Sequence, residues 1–199
     1  MDDVRVGIIG YGNMGTGVTG MFANQVNGAT VAAICDIDPE RLKAAREKYG
    51  DGAKYYEDAT AMIESGEVDA IYVATPHYDH PRLAIKGFEN NLHVLVEKPA
   101  GVYTKQVREM NEAAAQSDRV FGLMFNQRTR PEHQKFRELI QCGELGRVQR
   151  TNWIITAWFR SQAYYESMVT RLYMFHGSAV DAQPYVIDWE RQTTDRGAT

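Results

Sequence analysis

The run Gly7-Ile8-Ile9-Gly10-Tyr11-Gly12-Asn13-Met14-Gly15 constrains this 199-residue chain more than any other feature. Val4, Val6, Ile8 and Ile9 read as a buried strand that breaks into a G-x-G-x-x-G turn, and the turn opens a helix. In such a turn Gly10 permits the tight reversal, Gly12 lets a pyrophosphate approach the backbone, and Gly15 lets the helix pack close to the strand. The helix N-terminus then offers unpaired N–H groups and a positive dipole end to the phosphates. Glycines cluster in many turns, so context has to decide.

That context is Asp36. Thr30–Cys35 reads as a second short, apolar, β-branched strand, and Asp36 stands at its end. It lies about 20 residues beyond Gly15, the spacing at which a carboxylate accepts hydrogen bonds from an adenosine ribose. A carboxylate there repels a 2′-phosphate, so NAD is favoured over NADP. A plainer reading has Asp36, with Asp38-Pro39, capping a helix over Glu40–Tyr49. Asp38 also remains a substitute for Asp36 as the ribose ligand.

Strand and helix signals alternate as far as residue 125. Asp58–Ser65 reads as a short helix, Val68–Ala74 as a strand closed by Thr75-Pro76, and Pro81–Asn90 as a helix. Leu92–Val96 is a further buried strand, Thr104 is expected to cap a helix ending at Ser117-Asp118, and Arg119–Phe125 is a strand. Such alternation predicts an α/β, doubly wound parallel sheet of Rossmann type over residues 1–125. Beyond Asn126 the grammar changes. Pro131 starts a helix to about Cys142, stopped by Gly143, and Val148–Phe159 reads as a long aromatic strand. Residues 126–199 are therefore expected to begin a second, α+β domain.

Bulk properties narrow the classes. A net charge of −4 offers no electrostatic footprint for nucleic acid or an anionic membrane. No apolar run approaches the ~20 residues a membrane span needs. No signal peptide is expected before the first strand. Two cysteines, Cys35 and Cys142, far apart in sequence, fit reduced thiols and a cytoplasmic setting.

Glu97-Lys98-Pro99 follows directly on the strand Leu92–Val96. The carboxyl ends of the strands in a doubly wound sheet line the ligand crevice, which places Lys98 beside a bound substrate. Its ammonium can hydrogen-bond a substrate hydroxyl and share the proton as hydride leaves the same carbon. Pro99 is suited to a cis bond after Lys98. A surface lysine in a turn is the plainer alternative.

These blocks together resemble the Gfo/Idh/MocA family of NAD(P)-dependent sugar and polyol oxidoreductases. The resemblance rests on Gly7–Gly15, on Ala74-Thr75-Pro76 through His80, and on His93–Pro99. Phe125–Arg128, Gly143–Val148 and Trp158–Tyr165 also look like family segments, so the likeness runs over about residues 3–167. It implies that Gly10, Tyr11, Gly12, Asn13, Met14 and Gly15 hold the pyrophosphate and that Asp36 takes the ribose. It places Thr75, Pro76 and His80 along the nicotinamide half, and Glu97 and Lys98 beside nicotinamide and substrate. Asn126, Gln127 and Arg128 would line the site, and Trp158 and Arg160 would reach the cofactor from the second domain. Lys98 is the catalytic residue the resemblance implies, and NAD the cofactor.

His77 and His80 have a spacing a metal could use, but a turn beside Pro76 and Pro81 accommodates both in water, and no metal site is expected. His93 reads as structural. Trp153, Trp158, Phe159, Tyr164 and Tyr165 suit a sugar ring or a subunit interface equally.

After Ser167 the family pattern stops. The family has a glycine-rich loop and a helix with an acid followed four residues later by a histidine that serves as general acid or base. Met168–Thr199 instead offers His176 and Asp181 in reversed order and a polar end. The expectation is a truncated or frame-shifted member whose last residues, 168–199, are not family-like. Family members form homo-oligomers through the second-domain sheet, which looks incomplete here. Two functions follow as expectations: an oxidoreductase moving a hydride between nicotinamide and a sugar- or polyol-like carbon, or a non-catalytic NAD(H)-binding protein or inactive fragment.

Overall fold

A computed structural model describes residues 3–150 and 152. Strands and helices alternate in the order β1 (Val4–Ile9), α1 (Asn13–Asn24), β2 (Ala29–Cys35), α2 (Pro39–Tyr49), β3 (Lys54–Tyr56) and α3 (Ala59–Glu64). They continue through β4 (Ala70–Val73), α4 (His80–Glu89), β5 (His93–Glu97), α5 (Thr104–Gln116) and β6 (Phe121–Met124). The strands form one six-stranded sheet in the order β3-β2-β1-β4-β5-β6, every neighbouring pair parallel. This is the doubly wound order, which reverses direction between β1 and β4.

Side chains along a strand alternate faces, and helices cover both. Val6, Ile8 and Tyr72 pack with Val18 of α1, and Ile34 packs with Leu42 and Ala45 of α2. On the other face Ile9, Ile71, Val73, Val94 and Val96 meet Met62 of α3, Leu83 and Phe88 of α4, and Met110 of α5. Burying each large apolar side chain contributes about 1.5–3 kcal/mol, so the central strands read as near-continuous apolar runs.

Asp38 starts α2 by accepting a hydrogen bond from Glu40 N, and Asp58 starts α3 by accepting from Ala61 N. Three details differ from the sequence reading. β3 was not expected, because three residues, Lys-Tyr-Tyr, carry too short a pattern to show a period of two. Thr104 is the first residue of α5 rather than its cap: Tyr103 precedes the helix and no side chain caps it. β4 begins at Ala70, and the side chain of Asp69 just before it clasps Arg5, accepting from its backbone N at 2.9 Å and its guanidinium at 2.7 Å.

The chain divides into two units between Met124 and Phe125. In the second, a 3-10 turn (Asn126–Thr129) leads to α6 (Pro131–Gln141), whose residues are all at least partly exposed. Cys142 closes α6 and Gly143 follows at φ +78°, the stop expected of glycine. Val148, Gln149 and Arg150 form no strand, and the rest of the Val148–Phe159 expectation lies outside the described residues.

Candidate functional site

Where the strand order reverses, the carboxyl ends of β1, β2, β4 and β5 bring the sequence-predicted residues of the first unit to one edge of the sheet. The glycine turn leaves β1 with Gly10 at φ +94°, a left-handed conformation that a side chain would strain. A Cβ on Gly10 would also stand 2.7 Å from Ala74 O, at the end of β4. Gly15 is tighter still: a Cβ there would fall 1.8 Å from Gly10 O, so only glycine lets α1 start this close to the turn. Gly12 is different. A Cβ on it would meet nothing nearer than the Arg41 guanidinium at 3.6 Å.

Gly12 is the residue before α1, and no side chain caps the helix and no acid sits in its first turn. The first amides of α1 are therefore available for an anion. Met14 beside them is 46% exposed.

Asp36 and Asp38 take separate tasks. Asp38 caps α2, which settles the helix-capping alternative in its favour. Asp36, 4% exposed at the end of β2, accepts from Tyr11 N at 2.7 Å and from Asp38 N at 2.9 Å. It thereby ties the glycine turn to the end of β2, and Oδ1, which takes only the Asp38 amide, keeps a lone pair for a further donor. Arg41 was not anticipated. Its guanidinium lies 3.4 Å from Asp36 and 3.5 Å from Asp38, close to Gly12. Its place one turn into α2 was the available signal. Tyr11 is buried with its ring 6.5 Å from that of Tyr49, and burial first, then Tyr49, pushes its phenol up to about 12.

At the β4–β5 side the polar groups are buried side chains. Glu97, 4% exposed, accepts from the Tyr72 hydroxyl at 2.5 Å and from Lys98 N at 3.0 Å. Burial, then the hydrogen bond to Glu97, holds the Tyr72 hydroxyl far above its ordinary titration range, so it remains a donor. Lys98 thus leaves β5 with its amide fixed by its own neighbour, and the Lys98–Pro99 bond is cis. Tyr72 was legible only as an apolar member of a strand.

His80 opens α4 and is fully buried. One ring nitrogen lies 2.8 Å from Pro99 O and the other 2.8 Å from Thr75 O. Burial, outweighing both carbonyls and the charges of Glu97 and Asp79, lowers its pKa from the ordinary histidine value. The ring has no exposed surface. Thr75 Oγ1 is buried with no hydrogen-bond partner among the described residues, whereas Pro76 is exposed. His93 accepts from Val120 N at 2.9 Å and so fastens β5 to the start of β6.

In the second unit Arg128 stacks its guanidinium 4.4 Å over Phe125, and the carbonyls of Asn126 and Gln127 accept from Thr129 Oγ1 and lie 2.7 Å from the His133 ring, respectively. Trp158 and Arg160 lie outside the described residues. At the opposite, amino end of the sheet a cleft of about 360 Å³ is lined by Arg5, Asp69, His93 and Arg119 among others. Ligands of doubly wound sheets bind at carboxyl ends, so that cleft is not the candidate site.

The family profile for the Gfo/Idh/MocA oxidoreductases, described as an oxidoreductase family with an NAD-binding Rossmann fold, matches residues 4–125. This chain belongs to that family. It is 32% identical over 151 residues to the D-glucoside 3-dehydrogenase of Escherichia coli K12, covering 74% of this chain and 42% of that protein. It is 34% identical over 149 residues to the rhizopine catabolism protein MocA of Rhizobium meliloti, covering 74% and 45%. The WlbA dehydrogenase of Bordetella pertussis, solved with NADH and UDP-GlcNAcA, is similar in structure with a TM-score of 0.69 at 28% identity, covering 73% of this chain and 42% of that one. The chain spans less than half the length of each of these relatives. The glycine turn, the uncapped start of α1 and the unsatisfied Thr75 Oγ1 fit the NAD of this family. No described helix is long and apolar enough to cross a membrane.

Proposed function

We propose that the first unit binds NAD(H) along the carboxyl ends of β2, β1, β4 and β5, and that the protein moves a hydride to or from a sugar- or polyol-like carbon. The observation that carries this is one edge of one sheet holding both an open anion site at Gly12 and a lysine, Lys98, at the end of β5. Residues 1–125 form the dinucleotide-binding domain in this reading, and 126–199 belong to the substrate domain.

The amides of Gly12–Gly15, Asn13 and Met14 among them, receive the pyrophosphate at the positive end of α1, in a turn shaped by Gly10 and Tyr11. Asp36 accepts from the adenosine ribose and disfavours a 2′-phosphate, which makes NAD the preferred dinucleotide. Thr75 Oγ1 supplies a donor, and Pro76 an exposed wall, for the nicotinamide half. The family likeness assigns Asn126, Gln127, Arg128, Trp158 and Arg160 to cofactor binding as well. Nicotinamide, when bound, supplies or accepts the hydride. Lys98 hydrogen-bonds the substrate oxygen, giving it a proton as hydride arrives at the carbon and sharing that proton in the reverse direction. Glu97 holds the Lys98 amide so that the side chain starts from one place. The ligand is a small molecule rather than nucleic acid, the protein acts in the cytoplasm, and the family likeness suggests a homo-oligomer.

Binding without turnover is the second reading, favoured by the placement of the glycine turn, Asp36 and Thr75 within the first unit alone. Titrating NADH while following its fluorescence, then screening sugars and polyols at the reduced-nicotinamide absorbance, separates the two. Saturable binding with turnover that Lys98→Ala abolishes, at undiminished NADH affinity, is the expected result. Binding without turnover on every substrate selects the second reading, and no binding overturns both.

A further inference from the structure

The dinucleotide reading leaves the buried imidazole of His80 without a task. His80 has no exposed surface, yet both its ring nitrogens are engaged, and both partners are backbone carbonyls of turns that end neighbouring strands. Thr75 O belongs to the turn after β4, and Pro99 O to the turn that carries Lys98 after β5. We propose that His80 is a positioning residue, a two-ended strut that sets how far apart the Thr75–Pro76 and Lys98–Pro99 turns stand, and through them shapes the place of the nicotinamide half and of Lys98. This rests on the dinucleotide reading above.

Three observations support the strut. The imidazole is rigid and planar, and it spans two acceptors at an equal 2.8 Å, so the width between the turns is the width of the ring plus two short contacts. A ring with one N–H donates to one carbonyl and abuts the other; a ring with two donates to both. In both states the ring fills the space between the two turns, and at least one of them is held by a hydrogen bond. The strut is also firmly founded: Leu83, Ala84 and Phe88, within the same helix, are buried in the core against β4 and β5. Finally, the neighbouring hold on Lys98 is independent of His80, because Glu97 grips the Lys98 amide while His80 meets the Pro99 carbonyl. The turn is therefore fastened at two successive residues, more than is needed merely to end a strand.

A strut of this kind acts on one half of the ligand. Neither ring nitrogen of His80 reaches the glycine turn or Asp36, its partners being Thr75 O and Pro99 O, so a ligand with adenosine, pyrophosphate and ribose but no nicotinamide depends on it far less. The full chain and its His80→Leu and His80→Gln variants are titrated with NADH by fluorescence and with ADP-ribose by calorimetry, with thermal melting recorded for each. Losing the ring and its hydrogen bonding in His80→Leu weakens NADH about tenfold and leaves ADP-ribose within about twofold, while His80→Gln, which keeps an amide donor, recovers part of the NADH affinity. Equal weakening of both ligands, or unchanged NADH affinity in the leucine variant, overturns the strut. If His80→Leu does not fold, His80→Gln decides by the same split: NADH weakened with ADP-ribose unchanged supports the strut, and both ligands unchanged or equally weakened overturns it. Failure of the unaltered chain to bind either ligand overturns the dinucleotide reading, and the strut with it. Binding of both by the unaltered chain, with no split in the variants, overturns the strut alone.

Discussion

The two sides of the crevice are built from different materials. At the ends of β1 and β2 the working groups are backbone: an uncapped helix start at Gly12, a left-handed Gly10, and a carboxylate, Asp36, spent partly on holding the Tyr11 amide. At the ends of β4 and β5 they are buried side chains: Tyr72 on Glu97, Glu97 on the Lys98 amide, and His80 between two turns. A backbone site needs absence, the missing Cβ and missing cap, and tolerates little added. A side-chain site needs presence, every donor and acceptor matched in a dry interior, and tolerates little removed. The first suits a part common to every dinucleotide, and the second a part where one lysine must stand at one distance from a reacting carbon.

The comparison breaks most visibly at Gly15. An alanine there meets Gly10 O at 1.8 Å, so the turn and α1 must separate. Overpacking of this kind costs about 1–3 kcal/mol, and we expect a lowered melting temperature together with loss of both NADH and ADP-ribose binding. A fully stable Gly15→Ala that still binds either ligand would remove the backbone side of the contrast. Tyr72→Phe tests the other side by subtraction. It leaves Glu97 Oε1 buried without its donor at a cost of about 1–3 kcal/mol, read by urea unfolding, with ADP-ribose affinity unchanged. A phenylalanine variant as stable as the original would show that the buried pair contributes nothing. Asp36→Ala is the finest of the three. Arg41 stays beside the site, so the ratio of NAD to NADP affinity is expected to fall about tenfold. An unaltered ratio would transfer the acidic readout to Asp38 or abolish it.

The same contrast explains how far the sequence could be read. Strands β1, β2, β4, β5 and β6 and their helices were legible because apolar runs bounded by turns repeat along the chain, and the glycine spacing and Asp36 mark a backbone site by residue type alone. Residue types said less about the β4–β5 side. Tyr72 sits in an apolar run and looks like core, which it also is; only the register that pairs it with Leu95 beside Glu97 exposes its hydroxyl's task. His80 lay within a matched segment, but its burial, and so its action through Thr75 and Pro99 carbonyls, depends on how α4 settles on the sheet. Arg41 was hidden for a related reason, since a charged residue on an exposed helix face draws no notice until the turn beside it is known. β3, at three residues, was below the length at which alternation can be seen.

The account stands on a dinucleotide lying along the carboxyl edge of the sheet, and amide hydrogen exchange with and without NADH tests that most directly. Protection is predicted at the uncapped amides of Gly12–Gly15, with none at the amino end, at Gly66–Asp69 and Asn90–Leu92. Protection at that amino end, with the glycine turn unchanged, would contradict it.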